Sequence, residues 1–282
     1  MAEEPKGING EFLKPPAFTN GWLADMLSRK YEKGLYRCDK HGEVECEYYT
    51  DKNGQKVWSE CPECVKEHDA KLAEKERLEQ IERQKSKWLE SNIKEKFFGM
   101  TFDDYEVLND TLKVALEKVK AIADGSNRSL LLLGDNGLGK TMLASLALMK
   151  RGGYIFKMYE IITQIKSSYK ANSTVDEMDI LKKLSNCPLL VIDEVGKQFG
   201  SESEKNWLSY IIDERYECNK PTILICNLKR KRDCTEEEVS NGLYIEHYLG
   251  RDSVSRLVEC ADIVNVTGDD YRRKIALTER SV

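Results

Sequence analysis

An apolar run from Leu130 to Leu133 leads directly into Gly134-Asp135-Asn136-Gly137-Leu138-Gly139-Lys140-Thr141, a match to G-x-x-x-x-G-K-[ST]. This spacing constrains the fold strongly, because it works only between a buried strand and the start of a helix. Glycines at 134, 137 and 139 permit backbone turns closed to other residues, so successive N–H groups can converge on phosphate oxygens. Lys140 is expected to reach the β and γ phosphates of ATP, and the Thr141 hydroxyl to ligate Mg²⁺. Met142 opens a helix, expected to run to Lys150, whose positive end faces the triphosphate. Residues 134–142 are therefore the expected ATP-binding set.

A loop of this kind needs acidic partners. Pro188 to Ile192 is an apolar strand that ends in Asp193-Glu194. At the carboxyl end of a parallel strand, Asp193 is expected to hold Mg²⁺ through water and Glu194 to polarise the attacking water. A further strand, Thr222 to Cys226, ends in Asn227, whose amide can orient water or sense loss of the γ-phosphate. Strand-like and helix-like stretches alternate from Thr111 to Val266, which implies an α/β fold: a parallel sheet flanked by helices. Later come Arg256, near the end of a helix, and the Tyr271-Arg272-Arg273 stretch. An arginine can neutralise transition-state charge on its own or a neighbouring subunit's nucleotide, although a surface ion pair is the commoner fate.

The front third has different chemistry. Cys38-x-x-His41 and Cys61-x-x-Cys64 are two knuckles, the ligand plan of a zinc ribbon with an S₃N donor set. Between them, Val44 to Tyr49 and Gln55 to Ser59 read as strands joined at Asp51-Lys52-Asn53-Gly54. Cys46 and His68 are close enough in sequence to replace His41. Tyr48, Tyr49 and Trp58 offer an alternative use as a stacking surface for single-stranded nucleic acid. The expected organisation is an arm at 1–35, a zinc module at 36–68, a charged helical linker at 69–96 and the nucleotide-binding domain from 97. In the arm, Trp22, Leu23, Met26 and Leu27 recur at helical spacing, suited to packing on the zinc module or on a partner. Phe97 to Phe102 is expected to pack at the edge of the nucleotide-binding domain.

Composition adds limits. Net charge is −5, which argues against a chain coated in nucleic acid but leaves a local basic path open. Nine cysteines with two paired knuckles suggest a metal, and Cys187, Cys218, Cys226, Cys234 and Cys260 are read as small neutral residues. No apolar run is long enough to cross a membrane, and Met-Ala-Glu-Glu-Pro lacks the features of a signal peptide; a cytoplasmic protein is expected.

Phe102-x-x-Tyr105, the phosphate loop, Val191-Ile192-Asp193-Glu194-Val195-Gly196, the Asn227-ended strand, Ser255-Arg256 and Tyr271-Arg272 together resemble the AAA+ ATPases of the DnaC-type replicative helicase loaders. The likeness extends to the IstB-type transposition helpers and, more distantly, to the initiator DnaA. It implies Asn227 as a first sensor, Arg256 as an arginine finger acting on a neighbour, and Arg272 as a second sensor that touches ATP. It also implies that Ile161 to Asn172 approaches single-stranded DNA through Lys166, Tyr169 and Lys170. The implied partners are a DnaB-type helicase, single-stranded DNA and further copies in head-to-tail contact; the implied role is loading that helicase, with a transposase helper as the alternative. A zinc ribbon ahead of such an ATPase looks most like loaders of phages or mobile elements. The stretch from Lys229 through Tyr248 is longer and more basic than the family pattern, and its basic run Lys229 to Arg232 is a candidate for phosphate contact, or else a solvated loop.

Overall fold

The structure, a computed structural model, describes residues 29–170, 172–197 and 200–271. Two units divide the chain, residues 1–81 and 82–282. The Trp22 to Leu27 stripe and Arg272 lie outside the described residues.

In the first unit, β1 (Glu32–Cys38), β2 (Gly42–Thr50) and β3 (Lys56–Trp58) form an antiparallel sheet in that order. Pairing of Tyr36 with Val44, Gly34 with Cys46 and Tyr48 with Trp58 puts these residues on one face. There the Trp58 ring lies 4.7 Å from Tyr48 and 5.6 Å from Tyr36, centroid to centroid. Gly34 leaves room for the indole, since a Cβ at that position would come within 3.0 Å of it. The suggested stacking platform is thus spent on internal packing: Tyr48 is buried and Lys56 lies 4.2 Å over its ring. The β2–β3 connection is organised by Asp51, whose carboxylate accepts from the backbone of Asn53 at 2.9 Å and Gln55 at 2.8 Å.

The helix α1 (Pro62–Glu90) starts on a proline, which suits a first helical position, and buries none of its residues. It is charged and solvated, as its sequence implies. It begins earlier than the expected linker and stops sooner, where Asn92 takes a positive φ of 61°.

The second unit is a five-stranded sheet in the order β5 (Tyr154–Lys157), β6 (Leu190–Val195), β7 (Thr222–Cys226), β4 (Ser129–Leu133), β8 (Ala261–Asn265), parallel throughout. Parallel strands covered on both faces must be apolar on both, and β4 is buried at all five positions. Leu130 and Leu132 meet α2 (Asp110–Ala123) and α3 (Lys140–Arg151), along with Ile93 and Phe97. Leu131 and Leu133 share the opposite core with α4 (Met158–Ser168), α5 (Glu177–Asn186) and α6 (Glu202–Glu217). Each buried leucine contributes about 1.5–3 kcal/mol. Ser91 just past α1 accepts from Ile155 at 3.0 Å, which covers the β5 edge. The remaining short helices are α7 (Glu236–Ser240) and α8 (Ile245–Leu249), followed by α9 (Arg251–Cys260).

Arg215 of α6 is buried, and among the described residues no carboxylate is paired with it. Its guanidinium donates to the carbonyls of Leu184 and Cys187, both at 2.9 Å, of Pro221 at 2.5 Å, and to the Thr222 hydroxyl at 2.9 Å. It thereby ties the ends of α5 and α6 to the start of β7. Among the described residues no helix is long and apolar enough to cross a membrane.

Candidate nucleotide site and cysteine–histidine cluster

The carboxyl ends of β4, β6 and β7 bring the expected residues together. Between β4 and α3 the loop turns on Gly139, at φ 73°, the residue that caps α3. A side chain there would have its Cβ 2.5 Å from the Tyr105 ring. Tyr105 supports the loop from beneath: it is buried and its hydroxyl donates to the Leu138 carbonyl at 2.9 Å. Burial pushes the phenol up to about 12, so it stays a donor. Lys140 folds back onto the loop, with Nζ 2.7 Å from the Gly134 carbonyl and 2.6 Å from that of Asp135.

The acidic pair is shaped by an irregularity. Ile192 is opposite Leu224 but Val195 is opposite Cys226, so β6 carries one extra residue between them. Within the bulge Glu194 takes φ 57°, a conformation L side chains adopt rarely and at a cost of about 1–3 kcal/mol. The two acids consequently have separate partners. Asp193 accepts the Thr141 hydroxyl at 2.8 Å through Oδ2, while its Oδ1 accepts from the Glu194 backbone at 2.7 Å. Glu194 lies 3.1 Å from Lys157 Nζ and 3.3 Å from Lys197 Nζ. Burial pushes the Glu194 carboxyl up, but the two lysines outweigh it and hold the group below the usual glutamate range. Neither lysine was singled out in the sequence. Lys157 is opposite Asp193 across the β5–β6 pairing, a neighbour that sequence spacing does not reveal.

Asn227, at the end of β7, donates to the Asn136 side chain at 2.8 Å and so meets the phosphate loop from the opposite side. A cavity of about 460 Å³ is lined by loop residues 136–142 together with Asp193, Glu194, Asn227, Leu108 and Tyr271. Its volume falls in the ~300–1,000 Å³ range of ligand pockets. The Tyr271 backbone also donates to the Gly137 carbonyl at 3.2 Å.

Other expected residues lie elsewhere. Arg256 does not line the cavity; on α9 it pairs with Asp213 of α6 and lies 5.4 Å over the Tyr216 ring. Lys166 on α4 is 3.8 Å from the buried Glu204, Tyr169 donates to Glu177, and Lys170 is exposed. The basic run is largely neutralised within its own neighbourhood: Lys229 pairs with Glu238 at 2.9 Å, Arg230 with Glu246 at 3.3 Å and Arg232 with Asp233 at 3.6 Å.

In the first unit, one donor atom each from Cys38, His41, Cys61 and Cys64 falls within 4.8 Å of the others. Three thiols and an imidazole at this separation fit a tetrahedral metal of borderline softness. The β1–β2 turn supplies Cys38 and His41, and the start of α1 supplies Cys61 and Cys64. Of the possible substitutes, Cys46 is buried apart with its thiol toward the Glu60 carbonyl at 3.9 Å, and His68 faces Asp69.

A family model described as "IstB-like ATP binding protein" matches residues 64–278. The chain is 32% identical over 146 residues to the replicative helicase loader DnaC of Buchnera aphidicola subsp. Baizongia pistaciae, covering 49% of this chain and 59% of that protein. It is likewise 32% identical over 145 residues to the replicative helicase loader DnaC of Escherichia coli strain K12, with 49% and 59% covered. It therefore spans about three fifths of the length of these curated relatives. Among solved structures, the crystal structure of the DnaC helicase loader aligns with a TM-score of 0.51 and 25% identity, over 62% of this chain and 100% of that one.

Proposed function

Because the chain belongs to the family of IstB-like ATP binding proteins, we propose that it is an ATP-hydrolysing loader that places a DnaB-type replicative helicase on single-stranded DNA. The observation that carries the ATPase part is the 2.8 Å bond between Thr141 and Asp193, with Glu194 re-aimed beside it by the bulge. Two hard oxygen donors converging next to a phosphate loop fit Mg²⁺: Thr141 and Asp193 would hold it, and it would offset the charge of the phosphates. Lys140 exchanges its two loop carbonyls for the β and γ phosphates. Asn227, anchored to Asn136, orients the γ-phosphate side of the site. Glu194 polarises the attacking water once its carboxylate turns from Lys157 and Lys197. Positioning and charge compensation of this kind account for most of phosphoryl transfer.

The loading part draws on the likeness to DnaC proteins. In this reading Arg256 leaves Asp213 to reach the ATP of a neighbouring copy, and Arg272 touches its own. Head-to-tail contacts then make a ring or open spiral. Lys166, Tyr169 and Lys170 face single-stranded DNA, with phosphate contact and base stacking as the means. Zinc in the Cys38–His41–Cys61–Cys64 set is structural, because a module of this size needs such a staple.

The test is helicase loading itself. Full-length protein with ATP should deliver the host's replicative helicase to single-stranded DNA, and ATPase activity should respond to single-stranded DNA. Absence of any association with that helicase, together with a preference for duplex DNA, would instead favour a transposase helper.

A further inference from the structure

We propose that Glu67 is the positioning residue for the zinc ligand His41, and that α1 therefore supplies both a ligand and the group that orients another. This inference rests on the zinc reading of the cluster. The His41 ring is held at both ends. Nδ1 faces the thiols, 3.7 Å from Cys38, 3.6 Å from Cys61 and 3.4 Å from Cys64. Nε2, on the far side of the ring, lies 3.0 Å from Glu67 Oε1. A ligating imidazole is neutral, and the nitrogen that does not bind metal carries the proton. The geometry therefore selects the tautomer with Nε2–H donating to Glu67 and the Nδ1 lone pair aimed at the sulfurs. A carboxylate in this place fixes the ring and raises its basicity as a ligand.

The placement follows from helix geometry. Cys64 and Glu67 are three residues apart in α1, so they share a face. The other oxygen of Glu67 pairs with Lys40, the residue before His41, so the knuckle of the first two ligands is gripped at two successive side chains. Nearby acids do other work: Glu63 pairs with Lys66 at 2.9 Å, and Asp69 faces His68.

The experiment measures zinc affinity of the full chain by competition with a chromophoric chelator. Glu67→Ala should weaken zinc about 10–100-fold, Glu67→Gln, which keeps an acceptor for Nε2–H, should recover part of that loss, and Glu63→Ala should change nothing. Cobalt-substituted wild type and Glu67→Ala should both show the absorption of an S₃N site. His41→Cys supplies the decisive background: with no imidazole to orient, adding Glu67→Ala should leave affinity unchanged. Equal losses in the His41 and His41→Cys backgrounds, or wild-type affinity in Glu67→Ala, would overturn the role of Glu67 alone. A wild-type chain that binds no zinc would overturn the metal reading, and Glu67 with it.

Discussion

Lys157 Nζ lies 3.1 Å from the carboxylate of Glu194, the residue proposed to polarise the hydrolytic water. The contact joins the ends of two adjacent parallel strands, and Lys197 adds a second cation at 3.3 Å. A carboxylate so held is ionised but turned toward lysines instead of the nucleotide.

Removing one cation should therefore be visible in the pH profile. Lys157 lowers the Glu194 pKa, so Lys157→Met should raise it, and the acid limb of ATP hydrolysis should move to higher pH. The wild-type limb should lie below the usual glutamate range. The pH dependence of kcat/KM for both proteins, which reports the free protein in which this pair forms, checks this, and an unmoved limb would detach Lys157 from catalysis.

Glu194→Gln should separate binding from turnover. The loop, Thr141 and Asp193 remain intact, so affinity for ATP should persist while hydrolysis falls about 10²-fold or more. Equilibrium nucleotide binding alongside steady-state phosphate release would distinguish the two quantities.

Tyr105→Phe tests support beneath the loop. The Leu138 carbonyl loses its donor inside a buried contact, which costs about 1–3 kcal/mol. A lower thermal midpoint should accompany weaker ATP binding, measured by calorimetry on the same preparations.

Arg215→Met should be strongly destabilising, by about 3–5 kcal/mol. Several carbonyls around the guanidinium would lose their donor in a site closed to water. Lysine should rescue little, because one ammonium cannot span partners at both the end of α5 and the start of β7. Urea denaturation followed by helix content reads the shift in midpoint.

Zinc removal should act on the front unit. Chelation should disperse the Tyr36, Tyr48 and Trp58 rings, seen as lost near-ultraviolet dichroism, while ATP binding persists. Retention of the aromatic signal without metal would remove zinc from the account of that unit's folding.

The readable parts of this chain were those whose chemistry is local. A phosphate loop must carry its glycines, lysine and threonine in one continuous stretch, so Gly134 to Thr141 could be recognised without any tertiary knowledge, as could the acids closing β6. The two knuckles were legible for the same reason, although the choice of His41 over Cys46 or His68 needed the hairpin register, which places Cys46 opposite Gly34, up the strand from the turn that carries Cys38 and His41. β1 was not foreseen, because Glu32 to Cys38 lacks clean alternation and four of its seven positions are charged or glycine. What only the tertiary structure decided was who faces whom: Lys157 beside Glu194, Asn227 against Asn136, Tyr105 under Gly139, Tyr48 and Trp58 turned inward, and Glu238 and Glu246 paired with Lys229 and Arg230. Parallel strands bring together segments separated by whole helices, so these pairings depend on strand order and on a one-residue bulge. Local sequence sets the groups that can do the chemistry; the crossing of the chain sets which of them meet.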